Sequence, residues 1–236
     1  MSREFPTGQQ RSSAATICPL FLTPHLVVFP QCLQVIHLRE QAHRDFLHQC
    51  AQSSQMFAMG LADSGNVHPG FSATHNYGSP WHSTATLTRI VHHESLATGR
   101  HMLIVQGEQR VRVLQDDASS SGWQLVKVET LNDFSPKLPQ IDRHHRSQEL
   151  LAAASRLLPA PWQQRLLEQV SIRTADLGLL CDLLSQSLPL SVDSRKQLLD
   201  EIDTDQRSDI LLASLRHLIR LRRDTPHTFP PPFGSN

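Results

Sequence analysis

The hydrophobic pattern of this chain changes period once, and that change limits its fold more than any other feature. Between residue 17 and about residue 131 the apolar residues fall in short alternating or continuous runs bounded by Gly, Ser, Asp or Asn, at residues 26–29, 56–61, 84–91, 102–105, 111–114 and 124–128. Runs of this kind read as strands. One helix, at about residues 39–51, is expected to interrupt them. After a linker at residues 136–139 the period lengthens from two to about 3.6. Leu177, Leu180, Cys181 and Leu184 then share one helical face, as do Leu211, Leu215 and Leu218 with Leu221 at its edge. Pro159, Pro161 and Pro189 mark stops, and Ser191 is the expected N-cap of the next helix. Strands followed by helices make an α+β chain. The expectation is a small, partly closed β-barrel over residues 17–135 and a bundle of four or five helices over residues 142–224. Residues 1–16, polar and rich in turn formers, and residues 225–236, rich in Pro, read as loose ends.

Charge and cysteine usage narrow the function classes. Lys and Arg number 22 and Asp and Glu number 22, so the net charge is zero and the broad basic footprint of a dedicated nucleic-acid binder is missing. Four cysteines, Cys18, Cys32, Cys50 and Cys181, are far apart without C-x-x-C spacing, and no charged segment followed by a long apolar one opens the sequence. A cytoplasmic location with reduced thiols is expected. Apolar runs fall well short of the roughly 20 residues that cross a bilayer, so the reading is a soluble protein without a membrane partner.

Candidate chemistry is sparse. None of the three lysines, Lys127, Lys137 and Lys196, follows the glycine pattern of a phosphate-binding loop. Histidines gather at His68, His75, His82, His92, His93 and His101, but without the i, i+4 helical spacing of a zinc motif. Exposed or locally bonded imidazoles are the expectation, with no metal or other cofactor. Arg216, Arg220, Arg222 and Arg223 close the last helix, where cations favour the C-terminal dipole, and no interleaved aromatics suggest nucleic acid. The Gly-, Ser- and Pro-rich stretch at residues 63–83 is a long loop. It carries Phe71, Tyr77 and Trp81, which either offer apolar area for loose polypeptide contacts or cap the open end of the barrel.

Five segments in order carry a resemblance. Pro19, Leu20 and Phe21, then Leu26, Val27, Val28, Phe29, Pro30, Ile36, His37, Leu38, Glu40 and Arg44, follow the pattern L-P-L-F-P-L-x-L-V-V-F-P-G-M-x-L-P-L-H-I-F-E-P-R-Y-R after one inserted residue. Residues 85–90, ATLTRI, follow G-T-x-A-R-I; Gly99 and Arg100 before MLIV follow D-G-R-Y-x-L-x-V; and Gly107 with Arg110, Val111, Arg112 and Val113 follows G-x-x-R-F-R-V. Residues 188–207, LPLSVDSRKQLLDEIDTDQR, follow a helix pair ending in D-x-x-x-R. Over residues 17–224 the chain thus resembles the LON substrate-binding domain, the N-terminal domain of Lon-type ATP-dependent proteases, in its standalone bacterial form. It departs at Gln31, where the family has Gly, at Val35, where it has Pro, and at Arg39, where it has Phe.

The resemblance implies a PUA-like barrel and a non-catalytic module that recognises unfolded or flexible polypeptide, working with a protease or chaperone in quality control. The ATPase and the Ser/Lys protease of full-length Lon proteases reside in other domains, and neither has a counterpart in these residues. Pro30, His37, Glu40, Arg44, Gly107 and Arg110, matched to the family, carry structural roles in this reading: His37 packed into the barrel, and Glu40 in a helix first turn bonded to backbone or to Arg44 or Arg110. Two other classes stay open, an RNA-binding PUA-like protein and a small hydrolase built on the histidines.

Overall fold

The computed structural model describes residues 16–38, 42–52, 54–62, 84–96, 100–117, 125–139, 141–159 and 176–224, with backbone only at residues 42–45, 52, 115–117 and 224. Within them lie six strands and five helices, a mixed α/β architecture. The chain divides into two compact units, Met1–Asn132 and Asp133–Asn236.

The first unit holds β1 (Thr16–Thr23), β2 (Leu33–Leu38), α1 (Ala42–Gln52), β3 (Met56–Leu61), β4 (Thr84–Ser95), β5 (His101–Asp117) and β6 (Leu125–Thr130). The sheet order is β2-β5-β4-β3-β1-β6, and β6 also pairs with β5. Among the described strands only β1 and β3 run parallel, with β2 and the helix α1 between them in the chain. The two runs expected at residues 102–105 and 111–114 are one strand, β5. It is long enough to pair with β2 along its first half and β6 along its second.

Residues 26–29 are a correction to the strand reading. They are coil between β1 and β2, buried at Val27, Val28 and Phe29. Side chains in place of a ladder satisfy part of their polar backbone: Thr23 Oγ1 donates to Leu26 O (2.7 Å) and Thr86 Oγ1 to Val28 O (2.6 Å). Apolar content marked burial there, and burial alone does not select a strand. Strand β2 occupies instead a segment whose sequence reads as the approach to a helix.

Two apolar clusters make the core of this unit. Val28, Ile36, Leu38, Phe46, Phe57, Ile90, Leu103 and Val105 form one, with Phe21, Phe46 and Phe57 in mutual ring contact at 5.1–6.1 Å. Leu20, Ala58, Leu87, Val111, Val113, Val126 and Val128 form the other. Strand alternation supplies most of both, since every second residue of a strand points to the same face, while Val28 comes from the coil and Phe46 from α1.

The second unit contains α2 (Arg143–Ser155), α3 (Leu177–Ser187), α4 (Val192–Asp200) and α5 (Thr204–Asp224). The predicted faces are the buried ones: Leu177, Leu180, Cys181, Leu184, Leu211 and Leu215 lie inside, and Leu221 is half exposed at the edge. Ser191 caps α4, its hydroxyl accepting from Ser194 N at 3.1 Å, as expected. Asp142 and Asp176 cap α2 and α3 in the same way.

Candidate functional site

Phe71, Tyr77, Trp81 and Glu40 lie outside the described residues, as do His68, His75 and His82. Arg44 sits in the first turn of α1. Of the other sequence-matched positions, His37 lies at the far end of β2 and Arg110 farther along β5, while Pro30 and Gly107 lie at the entry to β2.

Pro30 and Gln31 form a tight turn there. Gln31 has φ 61°, its N–H donates to Gly107 O at 2.7 Å, and Gly107 N donates to Cys32 O at 2.9 Å. Two residues of one strand thus face one of its partner, the bulge whose first position favours Gly. That position is the one where this chain departs from the family's Gly. Across from it, a Cβ on Gly107 would stand 2.3 Å from Phe29 O, so only glycine fits. Arg110 is buried at 2% exposure, and its carbonyl accepts from Leu131 N.

His37 does not pack inward. Ile36 and Leu38 take the core positions of β2, and His37, Val35 and Leu33 face out. Leu33 is 61% exposed and Val35 45%, beside Gln106 and Ile104 of β5. Sequence reasoning placed apolar contact area in the 63–83 loop and missed this face, although the alternation of LQVIHL could have shown it.

The histidine cluster resolves into a pair where it is described. His93 Nε2 and His101 Nδ1 are 3.0 Å apart, and Ser95 Oγ is 3.3 Å from the same His101 nitrogen. Burial, then the neighbouring His101 and His92, hold the His93 imidazole below its ordinary range. His101 Nε2 is buried with no partner among the described residues, so no third group on that far nitrogen orients the ring as a base for Ser95. No group of three His, Cys, Asp or Glu among the described residues is placed to hold a metal.

In the second unit a cavity of about 440 Å³ between α2 and α3 is lined by Leu151, Leu177 and Leu180 with Arg143 and Ser147. Arg143 is already committed, donating to both carboxylate oxygens of Asp205 (2.7 and 3.2 Å) and to Pro136 O. Arg222 likewise donates to Arg156 O and Leu157 O at the end of α2, so it serves a neighbouring helix as well as its own dipole.

The model of the ATP-dependent protease La (LON) substrate-binding domain matches residues 17–217. The chain belongs to the LON substrate-binding domain family. Two solved structures agree in fold with this family assignment. The N-terminal domain of the Lon protease of the Mycobacterium avium complex superposes with a TM-score of 0.63 at 16% identity, over 85% of this chain and 98% of that one. The Lon N-terminal domain protein from Xanthomonas campestris gives 0.58 at 21% identity, over 84% and 98%. No curated protein matches the chain. No helix among the described residues is long and apolar enough to cross a membrane.

Proposed function

We propose that this protein is a non-catalytic polypeptide-recognition module acting as an adaptor in cytoplasmic protein quality control. It presents unfolded or flexible segments to a protease or chaperone. The observation that carries the reading is the family match over residues 17–217, a substrate-binding domain. No catalytic step, metal or cofactor enters it. The first unit works in this reading as a partly closed, PUA-like barrel. Supporting that, the pairings β5–β4–β3–β1–β6 lead back to β5. The two functional subdomains are taken as residues 17–135 and 142–224. Phe71, Tyr77 and Trp81 are proposed to contribute apolar contact. Pro30, Gly107 and Arg110 support the fold around β2, with Glu40 as a counter-charge near Arg110 or Arg44.

The reading is tested by anisotropy of a labelled, permanently unfolded polypeptide titrated with the protein, the folded form of that polypeptide serving as control. Saturable binding of the unfolded form alone is expected. No binding up to about 100 μM, weaker than roughly −5.5 kcal/mol, overturns it.

A further inference from the structure

We propose that the open edge of β2 captures an extended polypeptide segment as an added strand, bonded to the backbone of Leu33, Val35 and His37. The proposal rests on the polypeptide-recognition reading and names its site.

The ladder between β2 and β5 has a definite phase. Because Gly107 N donates to Cys32 O, and residues opposite each other alternate between bonded and non-bonded pairs, Gln34, Ile36 and Leu38 turn their N–H and C=O groups toward β5. Leu33, Val35 and His37 turn theirs the other way. Among the described strands β5 is the one partner of β2, so these groups face outward. Of them, Val35 O already accepts from Gln34 Nε2 at 2.9 Å, which leaves its second lone pair. The side chains of the same three residues are exposed, Leu33 and Val35 being apolar, and Ile104 and Met102 lie directly across from Val35 and His37.

An edge of this kind selects its occupant. Alternating donors and acceptors at strand spacing are matched by an extended backbone, which is available in unfolded polypeptide and already paired in folded protein. Main-chain bonds make the contact tolerant of sequence, and Leu33 and Val35 add a preference for apolar residues at alternate positions. Three outward residues are too few for the area, above about 1,000 Å², that a stable pairing with a second copy would bury. A weak, reversible clasp on a client segment needs much less.

The test uses the full-length protein and a labelled peptide of alternating valine and threonine flanked by lysines, alongside a twin N-methylated at every second residue. Val35→Pro removes an outward N–H and no bond to β5, so the ladder survives; unchanged far-UV circular dichroism checks this. Leu33→Lys with Val35→Lys is the second variant, keeping the backbone while placing charge on the edge. Expected is binding by the wild type, with a loss of at least about tenfold for the N-methylated twin and for each variant. Equal binding by wild type and both variants overturns the edge site and leaves the recognition reading standing. Failure of the wild type to bind any unfolded polypeptide overturns both. A wild-type dimer that Val35→Pro dissociates assigns the edge to a second copy and likewise overturns the proposal.

Discussion

Arg207 grips Asp133 with both terminal nitrogens, Nη1 to Oδ2 at 3.0 Å and Nη2 to Oδ1 at 2.5 Å, while its own side chain is wholly buried. Nε donates to Glu201 O at 2.8 Å and Nη1 also reaches Asp182 Oδ1 at 3.3 Å. Burial works against the cation, but the Asp133 and Asp182 carboxylates outweigh it and hold its pKa above the ordinary value. The segment before α2, the middle of α3 and the α4–α5 turn are thereby tied to one planar fork.

Replacing that fork is expected to unravel the second unit's packing. Arg207→Met leaves the Asp182 side chain, 3% exposed, without this cation, and the expected loss is about 3–5 kcal/mol. Urea denaturation would show it as a lowered midpoint. Arg207→Lys should recover only part, since an ammonium cannot bond Asp133 bidentately. A wild-type midpoint for Arg207→Met would contradict the role assigned to the network.

The bulge at Gln31 predicts a stabilising change. Gln31 at φ 61° lies in the left-handed region, which costs a side-chain-bearing residue about 1–2 kcal/mol, part of which glycine returns as unfolded-state entropy. Gln31→Gly is expected to stabilise by about 0.5–1 kcal/mol after losing its exposed 3.3 Å bond to Glu108 O. Gly107→Ala, whose Cβ would meet Phe29 O at 2.3 Å, should cost about 1–3 kcal/mol. Thermal melts of the two variants should move in opposite directions.

The histidine pair gives the fold a pH dependence of definite sign. Since the folded His93 pKa lies below the ordinary value of 6.5, the unfolded chain binds its proton first as pH falls. Between the lowered value and 6.5 the unfolded state therefore carries more protons, and stability rises with pH. The contribution is complete above the unfolded value and is lost on acidification. Melting temperature should fall between about pH 7.5 and pH 5.5, and His93→Gln should flatten that fall. An unchanged slope in the variant would remove His93 from the account.

The thiols are expected to be inert in the folded protein. Burial pushes Cys18 up to about 11 and, with the nearby Cys18 adding to it, Cys50 up to about 12. Cys32 and Cys181 are buried thiols as well. Iodoacetamide at mildly alkaline pH should label none of the four until denaturant is added, because the thiolate is the reactive form. Rapid native labelling of Cys50 would show that its pocket opens.

Much of the fold was legible because burial leaves a periodic trace. The helical faces at Leu177, Leu180, Cys181 and Leu184 and at Leu211 and Leu215, the Ser191 cap, and strands such as β3 could be read from spacing, since each is a local matter of which side of one element is dry. The candidate site was legible only in part. Glu40, Phe71, Tyr77 and Trp81 remain proposals from sequence, and the exposed face of β2 is missed because residues 33–38 read as the approach to a helix.

By itself the sequence determined the family, the change from strands to helices along the chain, and the stripes that must be buried, because these depend on residue type at short spacing. Only the tertiary structure decided that residues 26–29 are coil and residues 33–38 a strand, that His37 points outward, that Gln31 occupies a left-handed bulge, and that Arg207 is the buried fork between two aspartates. Each of those depends on a partner far along the chain: Gly107 opposite Gln31, Thr86 beneath Val28, Asp133 against Arg207. Local pattern specifies which side of an element is apolar, and contacts between distant residues select which hydrogen bonds complete it.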